Sequence, residues 1–257
     1  MALEIKYSSD QEHQIEAIES VCDLFRGQEF MNMDFVAAMG EKATLEEGMV
    51  THVGHANGLR LSSTQLEHNL HFIQESNSLA PTKVTTEGRL RDFTVEMETG
   101  TGKTYVYIRT IYELNKRYGL TKFIIVVPSV AIREGVKKSF KSMEGHFNVI
   151  YNNTPLENFV YDSGKMDRIN EFATSSSIQV MIINIAAFDK DNDFDDDEIT
   201  VTEKDGKDKR NLFHRPSEKL IGGHSPRVLV SSCNPVVIID EPQSVDSTVK
   251  RKKPYAV

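Results

Sequence analysis

Cysteine is almost absent: the 257 residues include only Cys22 and Cys233, far apart and with no CxxC pair. That excludes a disulfide framework and a zinc knuckle, and it fits a reducing cytoplasm, where the chain is expected. Long apolar runs are missing as well, so nothing reaches membrane-spanning length and no membrane partner is expected. The opening MALEIKYSSDQEH is too polar for a secretory leader. Positive charge is in deficit, with 30 Lys and Arg against 38 Asp and Glu and a net charge of -8. This argues against a chain that coats nucleic acid by itself, although an acidic protein can still carry a local basic groove. Much of the negative charge lies in DKDNDFDDDE at 189–198, and the dense basic cluster is KRKK at 250–253.

What is present is ordinary for a soluble globular protein: 39% hydrophobic and 26% charged residues, enough chain for one large domain or two small ones. Residues 9–27 read as an amphipathic helix. Ser9 is placed to cap it with Glu12 reaching back, Ile15, Ile18, Val21 and Leu24 form a stripe, and Gly27 ends it. A second helix is expected over 64–75, with Leu66, Leu70 and Ile73 on one face, and short helices and loops between the two. This N-terminal region runs to residue 90.

From residue 91 the pattern changes. FTVEM alternates, and the chain then turns through glycines into a helix over roughly 103–118. KFIIVV, FNVIY, IQVMIINI and VVIID follow, separated by helical stretches near 130–142 and 164–174. Apolar β-branched runs spaced by helices predict an α/β fold, a mostly parallel sheet flanked by helices with ligands at the strand C-termini. An insertion, acidic and then basic, interrupts the rhythm at about 189–227, and a basic tail occupies 249–257.

Two motifs carry chemistry. In VEMETGTGKTYVY a strand precedes TGTGKT and a helix follows, the context a phosphate-binding loop needs. Backbone N–H groups over Thr99, Gly100, Thr101, Gly102, Lys103 and Thr104 would cradle phosphates at the helix's positive end. Lys103 would reach the β/γ-phosphates of ATP, and the Thr104 hydroxyl would ligate Mg²⁺. Met97 stands where the general pattern has its first glycine. The second motif is VVIIDEPQ, an apolar strand ending in two carboxylates. Asp240 is suited to hold Mg²⁺ and Glu241 to orient and deprotonate an attacking water. A weaker third element is Gln14, whose carboxamide matches the edge of adenine, although taken alone it reads more readily as a solvated helix residue.

The acidic run at 189–198 has the alternating Asp189, Asp191 and Asp193 but lacks the glycine and glutamate of a calcium loop, and reads as a solvated insertion. His52 and His55, with His68 and His71, form two HxxH pairs without supporting cysteine or carboxylate ligands.

In this order, the three elements resemble superfamily 2 helicases. METGTGKTYVYIRTIYEL, IIVVPSVAIREGV and IIDEPQSVD resemble more closely the restriction (Res) subunit of type III restriction–modification enzymes, over about residues 10–248. The resemblance implies a RecA-like P-loop NTPase domain from an ATP-dependent DNA translocase and endonuclease. It also implies double-stranded DNA as partner, together with a methyltransferase (modification) subunit. Carried over by position, Gln14 contacts adenine, residues 99–104 form motif I, and residues 127–134 form motif Ia. Within motif Ia, Ser129 and Arg133 are the DNA-backbone candidates, Arg133 being equally well read as a surface helix charge. Asp240 and Glu241 form motif II, with Gln243 beside them as a coupling residue.

Beyond motif II the sequence holds no Ser-Ala-Thr motif III, second motor domain, arginine finger or nuclease domain. The expectation is an N-terminal motor-domain fragment, truncated after motif II. An arginine finger contributes on the order of 10³–10⁵ in rate, so hydrolysis by this chain alone is expected to be nearly abolished. The strand that would lie between those of motifs I and II is likewise not encoded, which leaves two open edges and marginal stability. The alternative is a non-catalytic remnant that binds nucleotide weakly or only the modification subunit. A related helicase outside restriction is disfavoured by DEPQ.

Overall fold

The computed structural model describes residues 6–31, 36–38, 53–82, 92–187 and 212–243. They belong to two compact units, one formed by Met1–Asn32, Gly58–Leu120 and Ser139–Thr154, the other by Met33–Asn57, Thr121–Lys138 and Pro155–Val257.

The first unit is helical. Helix α1 spans Glu12–Asp23, α2 Ser63–Ser76 and α3 Lys103–Tyr118. Ile18, Cys22 and Leu24 are buried at α1, and Ile108, Ile111 and Leu114 at α3, where 3–4 residue spacing puts apolar side chains on one face. Arg117 of α3 fixes the pair electrostatically, bonding the Glu19 carboxylate at 2.7 Å and Glu113, one turn away, at 3.0 Å. Asn69 of α2 donates to the carbonyls of Leu24 and Arg26, satisfying acceptors that the end of α1 leaves open. Ser62 and Gln65 form a reciprocal capping box at the start of α2. The expected cap at Ser9 does not form: α1 starts after Gln11 without a side-chain cap, and the Ser9 hydroxyl donates to Asp10 instead.

The second unit is built on a sheet. A short antiparallel ladder pairs β1 (Val36–Ala38) with β2 (Val53–His55), where helices and loops were expected. The main sheet comprises β3 (Lys122–Val127), β4 (Leu156–Val160), β5 (Ile178–Asn184) and β6 (Val236–Ile239), all parallel in the order β4-β5-β3-β6. Between β3 and β4 runs α4 (Val130–Ile150), which begins in this unit and whose later turns belong to the first. Helices α5 (Asp167–Thr174) and α6 (Pro226–Ser232) complete it, with Phe172, Leu229 and Val230 packed into one core with Ile124, Met181 and Ile183. The fold is thus the α/β class expected, a parallel sheet flanked by helices.

Three readings shift. FNVIY is helix rather than strand, because Phe140, Met143, Phe147 and Tyr151 recur at helical spacing and are all buried, so the stripe overrides the β-branched composition. The strand that follows is LENFV. FTVEM joins neither sheet; the segment 92–98 meets no strand of its own unit among the described residues, and Val95 stays 46% exposed. Residues 212–225, counted with the insertion, supply the buried Phe213 and Leu220 and the Ser225 cap of α6. The rest of the insertion up to residue 211, the acidic run, His52 and KRKK lie outside the described residues. Among the described residues β6 pairs with β3 alone, and 92–98 forms no strand whose edge could be left open.

Candidate functional site

The glycine loop closes through its own backbone. Thr101 N–H and the Thr101 hydroxyl both bond the Glu98 carbonyl, at 3.4 and 2.7 Å, making a tight turn over Thr99 and Gly100. Gly100 and Gly102 have φ of +85° and +92°, the left-handed region in which a side chain is strained. At Gly102 there is a second reason for glycine: a Cβ would lie 2.5 Å from the Gln14 amide nitrogen. At Gly100 a Cβ would meet nothing within 4 Å, so that side of the turn is open. Gly102 is the N-cap of α3, which makes Lys103 and Thr104 the first two residues of a sixteen-residue helix. The first N–H groups of a helix have no intrahelical partner, so they and the dipole favour an anion at this end.

Gln14, from the first turn of α1, is brought onto this loop. It is buried and donates to the Thr101 carbonyl at 2.9 Å. His13 reaches the same oxygen through Nε2 at 3.1 Å. The sequence reading overlooked His13; its only signal there is its place next to Gln14.

The second unit carries the other candidates. Asp240 follows β6 and its N–H bonds the Val126 carbonyl at 3.0 Å, extending the β3–β6 ladder by one residue. The C-terminal ends of these two parallel strands therefore lie side by side, the position where open α/β sheets bind ligands. Glu241 has φ of +56°, an uncommon conformation for a residue with a side chain. After β3, the Ser129 hydroxyl accepts from Ile132 N–H at 3.2 Å and caps α4. Arg133 pairs with its neighbour Glu134 at 3.0 Å, so its guanidinium is already engaged. Gln243 is exposed. Thus the structure groups Gln14 with residues 99–104 in one unit, and Ser129, Arg133, Asp240 and Glu241 in the other.

No cluster of three or more His, Cys, Asp or Glu suited to a metal occurs among the described residues, which do not include His52 of the HxxH pairs. His71 instead bonds the Thr82 carbonyl at 3.0 Å. Among the same residues no helix is long and apolar enough to cross a membrane.

Sequence comparison identifies relatives of this chain. The chain is 33% identical over 203 residues to the type III restriction-modification enzyme EcoPI Res subunit of Escherichia phage P1, covering 72% of this chain and 19% of that protein. It is 32% identical over 201 residues to the EcoP15I Res subunit of Escherichia coli, with the same coverage. It is 36% identical over 166 residues to the StyLTI Res subunit of Salmonella typhimurium, covering 58% of this chain and 15% of that protein. The chain therefore spans about a fifth of the length of the first two relatives. Residues 8–243 match the family described as "Type III restriction enzyme, res subunit", a match that takes in both glycine loop and acidic pair, and the chain belongs to that family.

Proposed function

We propose that this chain is the ATP-holding motor portion of a type III restriction enzyme Res subunit. The observation that carries the reading is the loop: two left-handed glycines set at the N-terminus of α3, with Lys103 and Thr104 leading the helix. ATP with Mg²⁺ suits these residues, because Gly100 leaves the turn open on one side and the helix end favours anions.

In this reading the 99–104 backbone and Lys103 hold the phosphates, and the Thr104 hydroxyl and Asp240 hold Mg²⁺. Gln14 reads the adenine edge, and Glu241 orients the attacking water and takes its proton. ATP, when bound, supplies a phosphoanhydride whose hydrolysis releases the free energy a motor uses. Ser129 and Arg133 are proposed contacts to the DNA backbone, for which Arg133 exchanges Glu134 for a phosphate oxygen. For the longer subunit we propose translocation on double-stranded DNA and endonucleolytic cleavage, alongside a modification methyltransferase subunit. The proposed organisation is a region over 1–90 carrying the adenine-reading glutamine, a RecA-like domain over 91–248 and a basic tail over 249–257.

Thermal unfolding with and without Mg-ATP, beside Lys103→Ala, tests the nucleotide assignment. At ATP about 100-fold above its Kd, binding to the native state alone adds about 2.7 kcal/mol, and the transition should rise in the wild type and stay fixed in the variant. An unmoved wild-type transition would overturn it.

A further inference from the structure

The Thr101 carbonyl, set between the two left-handed glycines, receives two side-chain donors from α1: Gln14 Nε2 at 2.9 Å and His13 Nε2 at 3.1 Å. A carbonyl oxygen only accepts, so His13 holds its proton on Nε2. The two donors differ in what else they can do. Gln14 is buried against Gly102 and is the residue assigned to adenine; His13 is exposed on the same turn. A carboxamide that holds a base edge with its oxygen and one N–H keeps a single N–H for the loop, so the Thr101 contact then rests on that hydrogen and on His13.

We propose that His13 is a positioning residue of the phosphate loop. It keeps the Thr101 carbonyl tied to α1 while Gln14 is committed to the base, so that the turn holds its phosphate-cradling shape with nucleotide bound. The proposal rests on the nucleotide reading above and makes a prediction that reading does not: His13 acts on the phosphates and is indifferent to the base.

The test uses the full chain and two probes, Mg-ATP and Mg-tripolyphosphate, which has the phosphates and no base. His13→Ala should weaken both by the same factor, about fivefold, the scale of one net hydrogen bond. His13→Gln, which restores an N–H donor of similar reach, should bring both back. Gln14→Ala should weaken ATP more than tripolyphosphate. In the wild type, the ¹⁵N shift of His13 Nε2 should show a proton-bearing nitrogen before and after tripolyphosphate is added.

A His13→Ala variant that keeps its tripolyphosphate affinity, or a His13→Gln variant that fails to recover it, would overturn the proposal. So would an Nε2 without its proton, a readout that needs no variant to fold. Lys103→Ala separates the two levels: if it loses both probes while His13→Ala loses neither, the nucleotide site stands and only the role of His13 falls. If Lys103→Ala binds both probes like the wild type, the loop assignment falls and this proposal with it.

Discussion

KFIIVV and VVII are close to interchangeable as strings, and the structure treats them differently. Every residue of β3 is buried, with β5 on one side and β6 on the other. On β6 burial alternates, leaving Val237 51% and Ile239 47% exposed on one face. Composition predicts that both will be strands; the number of neighbours and the cover over each face decide what burial contributes. The two strands nonetheless end side by side, with Ser129 after β3 and Asp240 and Glu241 after β6.

The sharpest break in the comparison is a truncation in β3. Ile125 is fully buried, and Ile125→Ala should destabilise the chain by about 2–5 kcal/mol, read as a lower urea midpoint at unchanged m-value. A loss under about 1 kcal/mol would mean that the centre of the sheet is loosely packed.

The start of β3 offers a second probe. Lys122 is fully buried; its ammonium donates to the Ser175 carbonyl and sits 5.6 Å from the Phe172 ring centroid. Burial pushes its pKa down from the ordinary 10.5 to about 8. Below pH 8 the lysine is protonated in both folded and unfolded chains, and above 10.5 in neither. Between these values the unfolded chain holds the extra proton, so rising pH favours the folded state. The interval corresponds to roughly 3 kcal/mol. Cysteines and tyrosines with raised pKa values work in the opposite direction at high pH, so the comparison must be made against Lys122→Met. The stability of the wild type relative to this variant should climb between about pH 8 and 10.5 and be flat on either side. A flat difference throughout would place the ammonium in contact with water.

Much of this architecture was legible because its signals are contiguous. TGTGKT leading into YVYIRTIYEL, and VVII leading into Asp240 and Glu241, each carry element type and the residues of the proposed site within about a dozen residues. What escaped depends on partners distant in the chain. His13 meets Thr101 across 88 positions, and Asn57 accepts from Thr121 N–H while donating to the Lys122 carbonyl. No window contains both ends of such contacts. FNVIY was ambiguous for a different reason: five apolar-rich residues suit either period, and only the stripe running back to Phe140 selects the helix. The three-residue strands β1 and β2 are too short to show any period.

At the end of β6 the backbone gives a smaller effect. A side chain at positive φ costs about 1 kcal/mol or more, partly offset in a glycine variant by greater freedom in the unfolded chain. Glu241→Gly should therefore stabilise the protein by about 0.5–1 kcal/mol in thermal melts while removing the carboxylate proposed to activate water. A stabilised chain without that carboxylate is the signature of conformational strain kept for function. A destabilised one would show that the Glu241 side chain holds the turn.

The smallest effect tests the exposed face of β6 itself. Ile239 is about half exposed, so Ile239→Thr keeps the β-branched shape, loses little buried area and should change stability by less than about 0.5 kcal/mol. Measured in urea beside Ile125→Ala, it places the two strands on one scale. If the Ile239 change instead approaches the Ile125 loss, that face is covered in solution by a further layer of protein, and the contrast between the strands disappears. A small value keeps it, and means the apolar run of β6 specifies a strand whose outer face contributes little to holding the fold together.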